Sequence, residues 1–191
     1  MTDEAYLEAL LRKLSPQTIQ ANLVRAGLFL AGWELLKSEI VNQVRNFYLV
    51  GLVHDPLSRE SYNKKVLALD TGNESGKIFR ALLLWLVESD VLTAAQAERV
   101  RELRQLRNEI AHELPKRLIE PDLPELEVAV LHELKDLISA LGVFWGRIEI
   151  ETNEDFVGRE IADADIVSGN SLLMGHLVAA AEGTKEESRS G

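Results

Sequence analysis

The sequence predicts an all-α protein, a helical bundle of about five to six helices with a short acidic C-terminal extension. Three observations predict it. Apolar residues recur every three or four positions over most of residues 16–146, the spacing of a helix buried along one side. The interruptions are helix punctuation: Ser15-Pro16, Thr93, Pro115, Pro121 and Pro124. Only Arg147-Ile148-Glu149-Ile150-Glu151-Thr152 alternates polar and apolar, a strand-like pattern too short to build a sheet alone.

Taken in order, residues 3–14 read as a short amphipathic helix with Tyr6, Leu7, Leu10, Leu11 and Leu14 at helical spacing. Ser15 is a good N-cap and Pro16 suits the first turn of the next helix. That helix runs from Gln17 to about Val50, carrying Ile19, Leu23, Ala26, Leu30, Trp33, Leu36, Ile40, Val44 and Phe47. Gly27 and Gly32 each weaken it by about 1 kcal/mol relative to Ala, and close approach of a neighbouring helix is their expected use. Residues 51–75 hold turn residues and form a long connection, a kind that is often functional. Gly76 to Asp90 and Ala94 to Glu113 follow as helices, the second capped by Thr93 and closed by Pro115. A helix from Glu125 to about Gly146 completes the bundle, and a last helix is expected near Ser171 to Ala181. The chain thus divides into an N-terminal helix (1–15), a bundle (16–146), an acidic extension with a terminal helix (147–183) and a disordered tail (184–191).

A chain of 191 residues holds one domain with a substantial core. It lacks cysteine, which removes disulfides, a thiol nucleophile and Cys-based zinc sites. No run of eighteen apolar residues points to a membrane span, and the acidic start Met1-Thr2-Asp3-Glu4 lacks the features of a signal peptide. A cytoplasmic location without membrane contact is the simplest expectation. The net charge of −10 argues against a protein that coats nucleic acid. The charge is uneven: residues 1–115 carry 14 Lys+Arg against 15 Asp+Glu, whereas residues 116–191 carry 7 against 16. Any RNA contact should therefore be local.

The residues that carry chemistry lie in Arg104-Gln105-Leu106-Arg107-Asn108-Glu109-Ile110-Ala111-His112-Glu113. With Leu103 at 0° on a helical wheel, Leu106, Ile110 and Leu114 fall at about 300°, 340° and 20°, an apolar arc. Arg107 falls inside that arc at about 40°, while Asn108 and His112 stack four apart on the opposite face, at about 140° and 180°.

This Arg107-Asn108-x-x-x-His112 run resembles the R-x4-6-H signature of the HEPN superfamily, over roughly residues 16–146. The resemblance implies an all-α, HEPN-like bundle, commonly homodimeric, that needs neither metal nor cofactor. Active members are metal-independent endoribonucleases of toxin–antitoxin and phage-defence systems, with a composite site where two motif helices meet. Carried onto this chain, Arg107 stabilises phosphate charge, His112 is the acid–base group and Asn108 orients His112 or the substrate; Arg104 adds an RNA contact. Imidazole as a class titrates near neutrality and suits proton transfer, and a guanidinium suits phosphorane oxygens through paired N–H donors. The implied partners are a second copy, an RNA substrate, and an antitoxin or defence-system protein. One departure stands out: position 114 is Leu, where one large toxin group carries Tyr two places after the His.

Competing readings remain open. The endoribonuclease is the leading expectation, and its strongest competitor is a non-catalytic HEPN dimerisation or binding module of a larger defence or regulatory assembly. Alternatively the spacing is accidental, with Asn108 and His112 plain surface residues and Arg107 snorkelling beside the core to pair with a carboxylate. Gly72-Asn73-Glu74-Ser75-Gly76-Lys77-Ile78 is P-loop-like but one residue short between its glycines, and it lacks Ser or Thr after the Lys. It is rejected as a nucleotide site. His54-Asp55 before Pro56 reads as a turn rather than an acid–base pair, and His132-Glu133 and the acids of 149–165 show no metal-ligand spacing. The acidic run reads as solvated or partner-facing, with mimicry of nucleic acid as a further option.

Overall fold

Helix α1 (Asp3–Lys13) stops at Ser15-Pro16, where the Ser15 hydroxyl accepts from the Thr18 amide at 3.2 Å and Pro16 opens α2 (Pro16–Ser38). The chain, described here from a computed structural model, is defined for residues 3–49, 56–72 and 76–187, with side chains to residue 183. Helix α2 passes through a π-helical turn (Glu39–Gln43) into α3 (Val44–Tyr48), so the long predicted helix is one rod with a widened turn inside it. The predicted 51–75 connection contains α4 (Pro56–Lys65) and a 3₁₀ turn (Leu67–Leu69). His54-Asp55 and Asn73-Glu74-Ser75 lie outside the described residues.

Helix α5 (Lys77–Glu88) ends at Asp90, whose φ of 56° is the left-handed value that Asp tolerates in a turn. Thr93 then starts α6 (Ala94–Ile119) with a full capping box: its hydroxyl accepts from the Gln96 amide, and the Gln96 side chain accepts from the Thr93 amide. Pro115 does not close this helix as expected. The backbone leaves helical values two residues earlier, at Glu113 (φ −119°, ψ 17°), and helix resumes to Ile119. A break there relieves the clash of the proline ring with the preceding turn.

Helix α7 (Val128–Thr152) continues through the stretch read as strand-like, so Arg147–Thr152 is helical, and among the described residues there is no strand. Two 3₁₀ turns (Glu154–Phe156 and Asp163–Asp165) lead to α8 (Gly169–Glu187). That helix runs past position 184, where a disordered tail was expected, and residues 188–191 lie outside the described part. Counting α2 to α3 as one rod, the described residues form seven helical rods, slightly more than predicted.

The core joins all the long helices. Phe29, Leu36 and Ile40 meet Leu82, Leu83 and Leu86 of α5, Leu103 and Ile110 of α6, and Leu131, Leu134, Ile138 and Leu141 of α7, all fully buried. Helix α8 belongs to the same core: Met174, Val178 and Ala181 are buried against α2 and α7. Gly32 makes this possible, since a Cβ there would stand 2.9 Å from the Met174 sulfur. Gly27, expected to serve a similar purpose, faces open space. Helix α1 attaches differently from prediction. Its Tyr6, Leu7, Leu11 and Leu14 are exposed, and its one buried residue is Lys13. The Lys13 ammonium donates to the carbonyls of Arg117 (3.1 Å), Leu123 (2.6 Å) and Glu120, closing the C-terminal end of α6.

Candidate functional site

The start of α5, the middle of α2 and the centre of α6 enclose a cavity of about 560 Å³. Four cations line it: Lys37 from α2, Lys77 from the first turn of α5, and Arg104 and Arg107 from α6. Asn108 joins them, with Trp33, Val41, Ile78 and Phe79 as the apolar wall. The N-cap of α5 is Gly76, which has no side chain to cap the helix, and the amide end of the helix adds partial positive charge beside the cations.

Each cation is seated by something specific. The Arg104 guanidinium lies over the Phe79 ring, 5.0 Å from its centroid. Its terminal nitrogen occupies the space that a side chain at Gly76 would take, 2.7 Å from an ideal Cβ, and Gly76 itself holds φ 90°. Arg107 reaches outward from the apolar arc: Leu103 and Ile110 on its own helix are fully buried, while its guanidinium is one-third exposed. One terminal nitrogen pairs with Glu34 at 3.3 Å and the other donates to the Asn108 side-chain carbonyl at 3.4 Å. The Arg107 Nε is buried and has no partner among the described residues. Glu34 also holds Lys37, at 2.9 Å. The hydrogen bond from Lys37, with those charges and Arg107, keeps the Glu34 carboxyl below the ordinary carboxylate range against a smaller effect of burial.

The structure therefore brings Arg104, Arg107 and Asn108 to one cavity and leaves His112 out of it. His112 is exposed on the Asn108 face, one turn or about 6 Å further along the axis. Its ring makes no hydrogen bond among the described residues, and it stands one residue before the break at Glu113. The wheel reading of this face holds, since Asn108 and His112 are both solvent-facing and Arg107 takes a carboxylate partner.

Two cations of the pocket, Lys37 and Lys77, were not expected there from the sequence. Lys37 carried only a weak signal, a Glu34–Lys37 pair at i,i+3 on a helix. Gly76-Lys77 had been singled out within a loop-like phosphate motif, and its use is narrower: a helix start with a glycine that makes room for an arginine. Among the described residues no group of three His, Asp or Glu side chains is placed to hold a metal ion, and no helix is long and apolar enough to cross a membrane.

Compared with protein-family models, curated proteins and solved structures, the chain matches none.

Proposed function

We propose that this chain is a HEPN-like endoribonuclease that acts without a metal ion, as a homodimer, in a cytoplasmic toxin or phage-defence setting. The observation that carries the reading is the convergence of Arg104, Arg107 and Asn108 with Lys37 and Lys77 on one cavity. A phosphodiester seated there meets guanidinium and ammonium donors together with the start of helix α5. His112 stands one turn away on the same helix, on the face left open to a second copy or to RNA.

The chemistry follows from those residue types. His112, from the same chain or from a second copy, takes the proton of a ribose 2′-OH. The 2′-oxygen bonds to phosphorus as the P–O5′ bond breaks, and the leaving O5′ takes a proton from the His112 imidazolium or from water, giving a 2′,3′-cyclic phosphate and a 5′-hydroxyl. Arg107 balances the negative charge that grows on the phosphoryl oxygens, and Asn108 holds the guanidinium or the substrate in place. The test is cleavage of total or transfer RNA in EDTA by the purified protein, beside Arg107→Ala and His112→Ala. Cutting by the unaltered chain alone, with cyclic phosphate ends, is the expected result. Folded protein that leaves RNA intact refutes catalysis.

A second reading, a non-catalytic HEPN binding module for an antitoxin or other defence-system protein, has its own observation. Arg107 is tied to Glu34 and His112 lies outside the cavity, with no carboxylate to orient its ring among the described residues. That module retains anion binding in the pocket, and capture of its partner replaces RNA cleavage as the activity to measure.

A further inference from the structure

A second cavity, of about 630 Å³, shares no residue with the basic pocket. Its wall is formed by the π-helical turn, the last turns of α7 and the 3₁₀ segments before α8. Its chemistry is the reverse of the first. Glu39, Glu149 and Asp165 line it, with Phe47, Trp145 and Phe156, and among the described residues the lining contains no Lys, Arg or His. The nearest cation on α7 is engaged elsewhere: the Arg147 guanidinium donates to the Ile161 carbonyl at 3.0 Å and to the Asp163 carboxylate.

Glu39 is the unusual member. It is only 2% exposed, within an otherwise apolar stripe that includes Leu36 and Ile40. One carboxylate oxygen accepts from the Asn170 amide at 2.6 Å. The other is shut off from water and has no donor among the described residues, and the Trp145 indole N–H in the same wall is likewise unpaired. A buried carboxylate oxygen without a partner is costly, and chains rarely keep one without a use. The turn that begins at Glu39 is π-helical, a departure from regular helix that recurs at functional sites. Burial pushes the Glu39 carboxyl above its ordinary range, against the Asn170 hydrogen bond, as expected for an acid lacking a counter-charge.

We propose that this cavity is a binding site for a small organic cation, an ammonium group on an apolar body, with Glu39 as its counter-ion and Phe47, Trp145 and Phe156 packed around it. The ammonium, seated against the Glu39 wall, supplies the counter-charge that this buried carboxylate lacks among the described residues. Aromatic faces favour a cation and also cover the apolar body. The exposed carboxylates Glu149 and Asp165 draw positive charge toward the opening and disfavour anions.

The test is calorimetric titration of the full chain with three probes of one skeleton: 2-phenylethylammonium, 2-phenylethanol and 3-phenylpropionate. Saturable binding of the ammonium, little of the alcohol and none of the carboxylate is the expected order. Glu39→Gln, checked for fold by circular dichroism, should weaken the ammonium by about tenfold or more, the loss of its counter-charge. Failure of the ammonium to bind, equal binding of all three probes, or an unchanged affinity in folded Glu39→Gln overturns the proposal. Should Glu39→Gln not fold, Glu149→Gln with Asp165→Asn takes its place, since both side chains are exposed. That pair should lower ammonium affinity severalfold and flatten its salt dependence, and an unaltered titration again overturns the site. The RNA assay is independent of this outcome because the two cavities have no residue in common.

Discussion

Replacing Glu34 by Gln separates a phosphate-binding pocket from a surface ion-pair cluster. Glu34 does not line the cavity, but it holds two cations that do, Lys37 at 2.9 Å and Arg107 at 3.3 Å. The side chains are half-exposed for Glu34 and Lys37 and one-third exposed for Arg107, so each pair contributes about 0–1 kcal/mol to folding. For a domain of this size Glu34→Gln should therefore move the melting temperature by only a few degrees, at about 2–4 °C per kcal/mol. Anion binding should respond more clearly. Removing the carboxylate releases two cations to a bound phosphate, and a gain of about 0.5–1 kcal/mol corresponds to roughly two- to fivefold tighter binding at about 0.1 M salt. The plot of log affinity against log salt should steepen by about 0.7 for each new phosphate contact on single-stranded RNA. Anisotropy of a labelled oligoribonucleotide over a salt series measures both quantities. Folded Glu34→Gln with unchanged affinity and slope refutes the pocket as a phosphate site. Acidification should imitate the substitution. The carboxyl titrates below the ordinary 4.5, held there first by the Lys37 hydrogen bond, so its pairs are intact above that value and lost as pH falls through the lowered pKa.

Three further outcomes are expected. Lys13→Met removes the ammonium that closes α6 and leaves the Arg117, Glu120 and Leu123 carbonyls without that donor; urea unfolding should report a loss of about 2–4 kcal/mol, and a change under 0.5 kcal/mol would contradict this. Gly76→Ala meets both a φ of 90° and the Arg104 guanidinium, so it should cost about 1–3 kcal/mol and weaken RNA binding with it; a neutral effect on both would show that Arg104 is free to move. Glu39 has a raised pKa, so the stability it contributes is present below the unfolded value near 4.5 and declines as pH rises through the folded one. Glu39→Gln should accordingly gain on the unaltered chain in melting temperature as pH rises above 4.5, and a pH-independent difference would dismiss burial as the cause.

Helix starts were the most legible part of the chain, because caps act locally. Ser15-Pro16 and Thr93 stand where α2 and α6 begin. Errors arose where a distant partner decides. The spacing of Tyr6, Leu7, Leu11 and Leu14 suggested a buried stripe, yet α1 is held by one lysine whose acceptors lie more than a hundred residues away. Ile148 and Ile150 imitated a strand over six residues, too few to outweigh the helix already running from Val128. The acids of 149–165 made the C-terminal part look like an appendage, although Met174, Val178 and Ala181 are spaced as a core stripe and fill the space over Gly32. In the motif helix, the outward face of Asn108 and His112 was legible from angle alone. The cations that surround Arg107 come from α2 and α5, and no spacing within α6 announces them.

Two cavities of opposite character meet one rod, and helix geometry explains how. Lys37 and Glu39 are two positions apart, about 200° around a helix, and so are Val41 and Gln43. Lys37 and Val41 line the basic pocket, while Glu39 and Gln43 line the acidic one. The π turn begins at the same place, so its extra width falls where the rod serves both walls. This arrangement accounts for a chain whose net charge disfavours nucleic acid and which nevertheless gathers four cations on one cavity. Opposite charges are segregated to the two sides of a buried stripe formed by Leu36, Ile40 and Val44. Apolar packing between the sides keeps the carboxylate of Glu39 from neutralising Lys37, which gives neighbouring turns of the same helix walls of opposite charge.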